Sequence, residues 1–459
     1  TYNTAVGEAA GNQVTTGIQN TLIGGLAGDA ITTGDNNVSV GYASLTSATT
    51  ADNNTAIGRG ALNETTTGAG NTGVGKGALE SNTTASNNTA VGLNALTANT
   101  TGTVNVAVGA SALAANTTAS YNTALGQSAL SSNTTAAQNT GLGYAALTNA
   151  TTGANNTATG SQALANTTTG AGNVAVGRSA LQLNTTASSN TAVGYSALGA
   201  NTTGASNTAL GNSAGSALTT GDNNVAIGYQ TGLRVSDGVG NQLFGSFAGD
   251  QITTGDYNVC LGYDVGSSVQ NLSTGNKNIL IGYKTSGPVT SDNAIGIGDS
   301  VTVVANDFSF GKASNVVTND FDADANWSRS SDERLKKNIT DQSLGLDFIN
   351  NLRTVKYNWK PSDELDANDP QLAHLREADD DGNIINHMNT DVVMHNFIAQ
   401  EVRAALDTAG VSEFGGWKED QFGVQQVSRE MFVIPLVKAI QEQQTIIETL
   451  TARIEALEG

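Results

Sequence analysis

From Asn3 onward, an asparagine, three mostly small or apolar residues and a glycine return every 17 residues. Asn3-Thr4-Ala5-Val6-Gly7 is the first copy; Asn88-Thr89-Ala90-Val91-Gly92 and Asn224-Val225-Ala226-Ile227-Gly228 are others. The register holds to Asn258-Val259-Cys260-Leu261-Gly262, giving 16 copies. A fixed short period predicts a solenoid rather than a set of globular domains. Length alone, 459 residues, would suggest about three domains, and the repeat overrides that expectation.

Residues 1–330 hold 47 of the 54 glycines and only 8 of the 20 Lys and Arg. Aromatic side chains are too scarce there for a large conventional core. Such composition alone favours disorder, but a disordered chain has no reason to keep a register. The consensus is N-T-A-V-G-x-x-A-L-x-x-N-T-T followed by three small or polar residues. It carries two apolar runs, the V/I/L before glycine and the Ala-Leu pair seen at Ala61-Leu62 and Ala129-Leu130. Each run, with its flanks, has the length of a minimal strand, and Gly and Asn-Thr-Thr suit the turns between them. The reading is one coil per repeat: strand, turn, strand, turn. Stacked coils pair like strand with like, which satisfies the backbone. A coil this thin is expected not to close a core alone. It would expose a Val/Leu stripe, and a continuous stripe predicts association. Three chains around an axis would bury it. Sixteen coils at strand spacing make a rod of roughly 75–80 Å.

The net charge of −20 speaks against nucleic acid and anionic membrane as partners. A solvated acidic surface explains it without a cation site. The one cysteine, Cys260, occupies a slot filled elsewhere by alanine and reads as a small buried hydrophobe. No stretch of about 18 apolar residues and no signal peptide is present. The chain opens at Thr1 in mid-repeat, so a fragment or processed product is expected. Asn-x-Thr triplets such as Asn99-Thr100-Thr101 and Asn116-Thr117-Thr118 fit the glycosylation pattern. Asparagine in a left-handed turn, bonded to the next coil, explains them better. Glu64 and Glu80 are the only acids between residues 54 and 221 and stand 16 apart, a coincidence of the repeat rather than a glycosidase pair.

After Gly262 the period fails. Asn278-Ile279-Leu280-Ile281-Gly282 follows 20 residues on, Asn293 to Gly298 is a degenerate unit, and Phe308-Ser309-Phe310-Gly311 is the last echo. The organisation read here is a stalk over residues 1–311, an Asp-rich neck over 312–330 with Phe321 and Trp327, and a domain over 331–459. In that domain Leu344–Leu352 and Asn396–Leu406 read as helices, with a strand at Val355–Trp359 after the first. Glu377–Asn383 is an acidic loop without the spacing of a calcium loop. Ile440, Ile447 and Ile454 recur by seven, with Leu436, Gln443, Leu450 and Leu457 between, which predicts a coiled coil over 436–459 of open strand number. A lone helix packed on its own domain is the alternative.

The stalk motif resembles the head repeats of trimeric autotransporter adhesins, where similar units build a trimeric parallel β-roll; the period here is longer. It also resembles repeats of fibrous phage and bacterial surface proteins. Four C-terminal segments resemble the peptidase S74 family, the intramolecular chaperone domains of phage tail spikes and fibres, including endosialidases. They are Ser331-Asp332-Glu333-Arg334-Leu335-Lys336-Lys337-Asn338-Ile339, Gly345–Ile349, Phe397–Val402 and Ile434–Glu442. A related domain occurs in the myelin regulatory factor. The resemblance implies a domain that trimerises, guides folding of the fibre before it, and then cuts itself off by a Ser–Lys dyad. Ser331 would be the nucleophile and Lys336 the base. The scissile bond would lie between Ser330 and Ser331. A lysine base needs burial to lose its proton. On a continuous helix Ser331 and Lys336 would not share a face. Either Ser331 precedes the helix, or the lysine comes from another chain. Ser330-Ser331-Asp332-Glu333 is also a capping box. Lys337 reads as a solvated neighbour, and His374, His387 and His395 as structural or exposed.

The expected fold class is a mainly β fibrous solenoid, a trimeric parallel β-roll, followed by an α+β chaperone domain ending in a coiled coil. The resemblance points to a homotrimeric tail fibre assembled in the host cytoplasm and carried on the virion tail. Its partners would be a host-surface receptor, a glycan among the candidates, and other tail proteins through a missing N-terminal part. The alternative is a bacterial surface adhesin. No cofactor, metal, nucleic acid or membrane partner is expected.

Overall fold

The computed structural model describes residues 2–267, 272–313, 315–320, 328–329, 333–376, 378, 382–384, 390–391 and 393–459. The chain divides into two compact units, Thr1–Ser330 and Ser331–Gly459.

The first unit is a parallel β-solenoid. Each regular coil contributes one three-residue strand, from Thr4–Val6 through Thr55–Ile57 to Val259–Leu261. Strands pair in parallel with like residues opposed: Thr55 with Thr72, Ala56 with Gly73, Ile57 with Val74. The Ala-Leu run, expected as a second strand, is instead a turn. Its leucine takes the left-handed conformation, with φ 54° at both Leu62 and Leu130. The turn is still laddered to the next coil, through Leu62 N–H to Ala78 C=O at 2.9 Å and Glu64 N–H to Glu80 C=O at 2.9 Å.

That leucine corrects a second expectation, because the single chain closes its own core. Ala56, Ala61 and Leu62 are fully buried, and the same slots form one apolar column from Leu22 to Val303. Two alanines let the walls approach, and the left-handed turn aims one leucine across the gap. A left-handed non-glycine residue costs about 1–2 kcal/mol. Burying leucine returns about 1.5–3 kcal/mol. The other face of the strand remains half-exposed, as at Ile57, Leu125, Leu142, Leu210 and Leu261.

Asparagine supplies a second column. Asn54 donates its N–H to Asn37 Oδ1 at 3.0 Å, and its own Oδ1 accepts the Asn71 N–H at 2.9 Å. Its Nδ2 donates to Gly68 C=O at 2.9 Å, tying the two ends of one coil together. The Asn-Thr-Thr asparagines are buried too: Asn116 Nδ2 reaches Asn99 Oδ1 at 2.8 Å and Ala119 C=O at 3.0 Å. They bond between coils as expected but are not left-handed. That conformation belongs to residues such as Asn53 and Asn87, one place before the first column. Burial also leaves Asn99 and Asn116 closed to glycosylation in the fold. The repeat glycine is required sterically. At Gly92 φ is 136°, and a Cβ would lie 2.6 Å from the Gly109 carbonyl oxygen.

The spacing between aligned residues changes from 20 (Val259 to Ile279) to 16 (Ile279 to Ile295) and then 13 (Ile295 to Phe308). At the degenerate unit Ala294, not Asn293, takes the asparagine slot, and its N–H bonds Asn278 Oδ1 at 2.9 Å. The expected neck contains strands. Asn315–Asp320 pairs antiparallel with Asp307–Lys312, and Ser328–Arg329 pairs antiparallel with Asn315–Asp320, so part of 312–330 extends the sheet. Phe321 and Trp327 lie outside the described residues.

The second unit is α+β. Helix α1 spans Leu346–Asn350, α2 spans Ala399–Thr408 and α3 spans Val433–Glu458. α1 starts after Gly345, where Glu442 of α3 accepts the Leu346 N–H at 2.7 Å. Val355–Tyr357 pairs antiparallel with Met394–Asn396, and Trp417–Glu419 with Gln425–Val427. The helix expected from Asn396 thus begins later, because Asn396 closes a strand. Leu344, Phe348, Val402, Leu406 and Phe432 form the core, with Phe348 and Phe432 stacked at 6.2 Å. α3 is one 26-residue helix. Phe432, just before it, is buried, as are Pro435 and Ala439 in its first two turns; Ile440, Ile447, Leu450, Ile454 and Leu457 are exposed.

Candidate functional site: the junction and the stalk surface

Ser330 and Ser331, the expected scissile pair and nucleophile, lie outside the described residues, as does Asp332. The described part of the junction opens with a short 3-10 helix, Glu333–Leu335. Lys336 follows it, its backbone N–H bonded to Glu333 C=O at 2.9 Å. Lys336 and Lys337 are both exposed in the single chain, and Asn338 turns the backbone at φ 54°.

Two of the histidines set aside in the sequence are described. His374 stacks on Phe422 at 4.0 Å. His395 pairs with Lys356 in the strand ladder and gives its carbonyl to Arg429 at 3.3 Å. His387, Glu377 and Asp379–Asp381 lie outside the described residues. The acidic loop is bracketed by a bridge between Ala378 and Ile384. No group of three or more His, Cys, Asp or Glu among the described residues could hold a metal ion. Among them, too, no helix is long and apolar enough to cross a membrane.

Two exposed features of the stalk carry chemistry. One is the strand face just described, apolar in almost every coil. The other was missed in the sequence: an aromatic column. Tyr229, Phe247, Tyr263 and Tyr283 come from four successive coils, with ring centroids 5.4, 5.9 and 5.6 Å apart. A tyrosine immediately after the repeat glycine was the available signal; Phe247 sits one place later and hides the pattern.

The second unit contains a recognisable class of domain. Residues 331–411 match the family model of Peptidase S74, described as the chaperone of endosialidase. No curated protein and no solved structure matches the chain. A long parallel β-solenoid followed by this domain fits a tail-fibre or endosialidase-type protein.

Proposed function

We propose that the chain is a subunit of a homotrimeric attachment fibre, most simply of a phage tail, whose C-terminal domain aligns three chains and then cuts itself off. The observation that carries this is the chaperone-of-endosialidase match beginning at Ser331, directly after a solenoid unit that ends at Ser330. Support for association comes from two exposed apolar surfaces, the strand face of the stalk and the heptad face of α3. Near-identical coils can pair out of register, so alignment before zipping has a clear purpose.

The cut is assigned to Ser331 and Lys336. Lys336 takes the proton from Ser331 Oγ, which attacks the carbonyl carbon of Ser330. The peptide C–N bond breaks, and the nitrogen leaves as the amine of Ser331 after gaining a proton. Water then hydrolyses the Ser330–Ser331 ester. A lysine base needs desolvation, and Lys336 is exposed in one chain. Assembly of the trimer would supply that burial, so cleavage waits for folding.

The test is incubation of the intact chain without protease. Fragments of 330 and 129 residues are expected, with Ser331 at the new N-terminus. Ser331→Ala abolishes the cut, Lys336→Ala nearly so, and Lys337→Ala leaves it intact, with the two uncleaved variants sedimenting at three times the chain mass. Continued cleavage of Ser331→Ala refutes the dyad, and a monomer refutes the fibre.

A further inference from the structure

The position after the repeat glycine faces water throughout the stalk. It carries full charge at Arg59, Lys76 and Arg178. It carries a tyrosine at Tyr42, Tyr144, Tyr195, Tyr229, Tyr263 and Tyr283, each about half exposed. The strand position before that glycine is instead apolar in nearly every coil. The two columns therefore differ in chemistry: one is charged or aromatic and reaches into solvent, the other is apolar.

Near the end of the regular stack the isolated tyrosines become a platform. The Tyr229, Phe247, Tyr263 and Tyr283 rings touch in sequence, the first two contacts edge-on and the last stacked. The backbone beneath them is fixed by bonds from Phe247 N–H to Tyr229 C=O at 3.0 Å and from Lys284 N–H to Tyr263 C=O at 3.0 Å. Binding there orders little protein, which favours affinity. Lys284 Nζ stands 5.3 Å from the Tyr283 centroid. Asp264 feels both Asp250 and Lys284, so the flank holds acceptors as well as a donor.

We propose that Tyr229, Phe247, Tyr263 and Tyr283 form a binding platform for an uncharged pyranose glycan. The inference rests on the attachment reading and locates its ligand. Aromatic faces are electron-rich, and the C–H face of a pyranose stacks on them through weak hydrogen bonds. Asp264, Lys284 and Gln230 offer partners to its hydroxyls. The carboxylates of Asp250 and Asp264 oppose an acidic sugar, and the net charge of −20 opposes the phosphate backbone of a nucleic acid.

The purified chain is applied to a printed array of neutral and acidic bacterial-surface polysaccharides. Neutral glycans should bind, about tenfold more weakly after Tyr263→Ala, with Tyr144→Ala unchanged. Tyr263→Phe keeps the ring and should keep most of the binding. Should Tyr263→Ala fail to fold, Tyr229→Ala at the column's end carries the same test. Glycan binding that survives loss of the rings overturns the proposal and makes them a packing column. Preference for acidic glycans, or no glycan bound at all, overturns it too. An empty array from a fibre that still adsorbs to cells removes the platform alone; failure of both removes the attachment reading as well.

Discussion

Replacing Asn105 by alanine tests whether the buried asparagine column holds the stalk together. Asn105 Oδ1 accepts the Asn122 N–H at 3.0 Å, and Nδ2 donates to Ala119 C=O at 2.8 Å. Both asparagines are fully buried. In Asn105→Ala the Asn122 N–H loses its acceptor, at a cost of about 1–3 kcal/mol. The Ala119 carbonyl suffers less, because it keeps the Asn116 amide at 3.0 Å. The lost bond itself adds about 1 kcal/mol. The sum, about 2–4 kcal/mol, corresponds to roughly 30- to 1,000-fold faster opening. Hydrogen exchange read by mass spectrometry on peptides covering residues 105–122 resolves that range, since coils open locally. Thr101→Ala, at an exposed site, should stay within about 0.5 kcal/mol. Asn105→Asp keeps the acceptor but buries an acid, whose folded pKa rises above the unfolded value of about 4. The folded state then holds the proton longer, so this variant is most stable below about pH 4 and weakens as pH rises. Equal exchange in Asn105→Ala and Thr101→Ala would refute the reasoning.

Three further outcomes follow from the same coil. Gly143→Ala should prevent stable stacking, because φ is 136° and the new Cβ would lie 2.6 Å from Gly160 C=O; Gly172→Ala, with φ 67° and open space, should cost only about 1–2 kcal/mol, and thermal melts separate the two. Asn133 Oδ1 is buried without a partner because the next slot holds Ala150, so Ala150→Asn should complete the column and raise the guanidinium midpoint by about 1 kcal/mol of stability. Burial pushes the Cys260 thiol up to about 12, so a maleimide should label it only after denaturation; labelling of the folded chain at pH 7 counts against the buried slot.

The repeat made the solenoid readable because it fixes which residues stack. It did not reveal the coil's shape. Sequence preference treats Ala61-Leu62 as strand-like, whereas the coil needs Leu62 in a left-handed turn, a choice forced by closing a small core and invisible to local propensity. The asparagine column was legible as a column, but its bonding was not, since the partners lie 14 and 17 residues away. At the junction, motif order pointed to residue 331, and the matched family begins there. Whether a serine and a lysine five residues apart can meet is not legible in a linear motif, because that depends on packing the motif does not encode. The aromatic column escaped notice because Phe247 is shifted by one place from the tyrosines.

The antiparallel hairpin at the end of the stalk has a consequence for how such a fibre changes. Every regular coil offers its two neighbours the same rungs, so the length of this stalk is counted rather than measured. Removing any 17-residue block, such as 105–121, rejoins like with like and shortens the rod by about 4.8 Å. Past Lys312 the chain reverses direction, and no further parallel coil can be laid on that strand. Gain and loss of copies is thereby confined to one side of a fixed terminus. Copies can be added or removed without altering the hairpin that ends the stack.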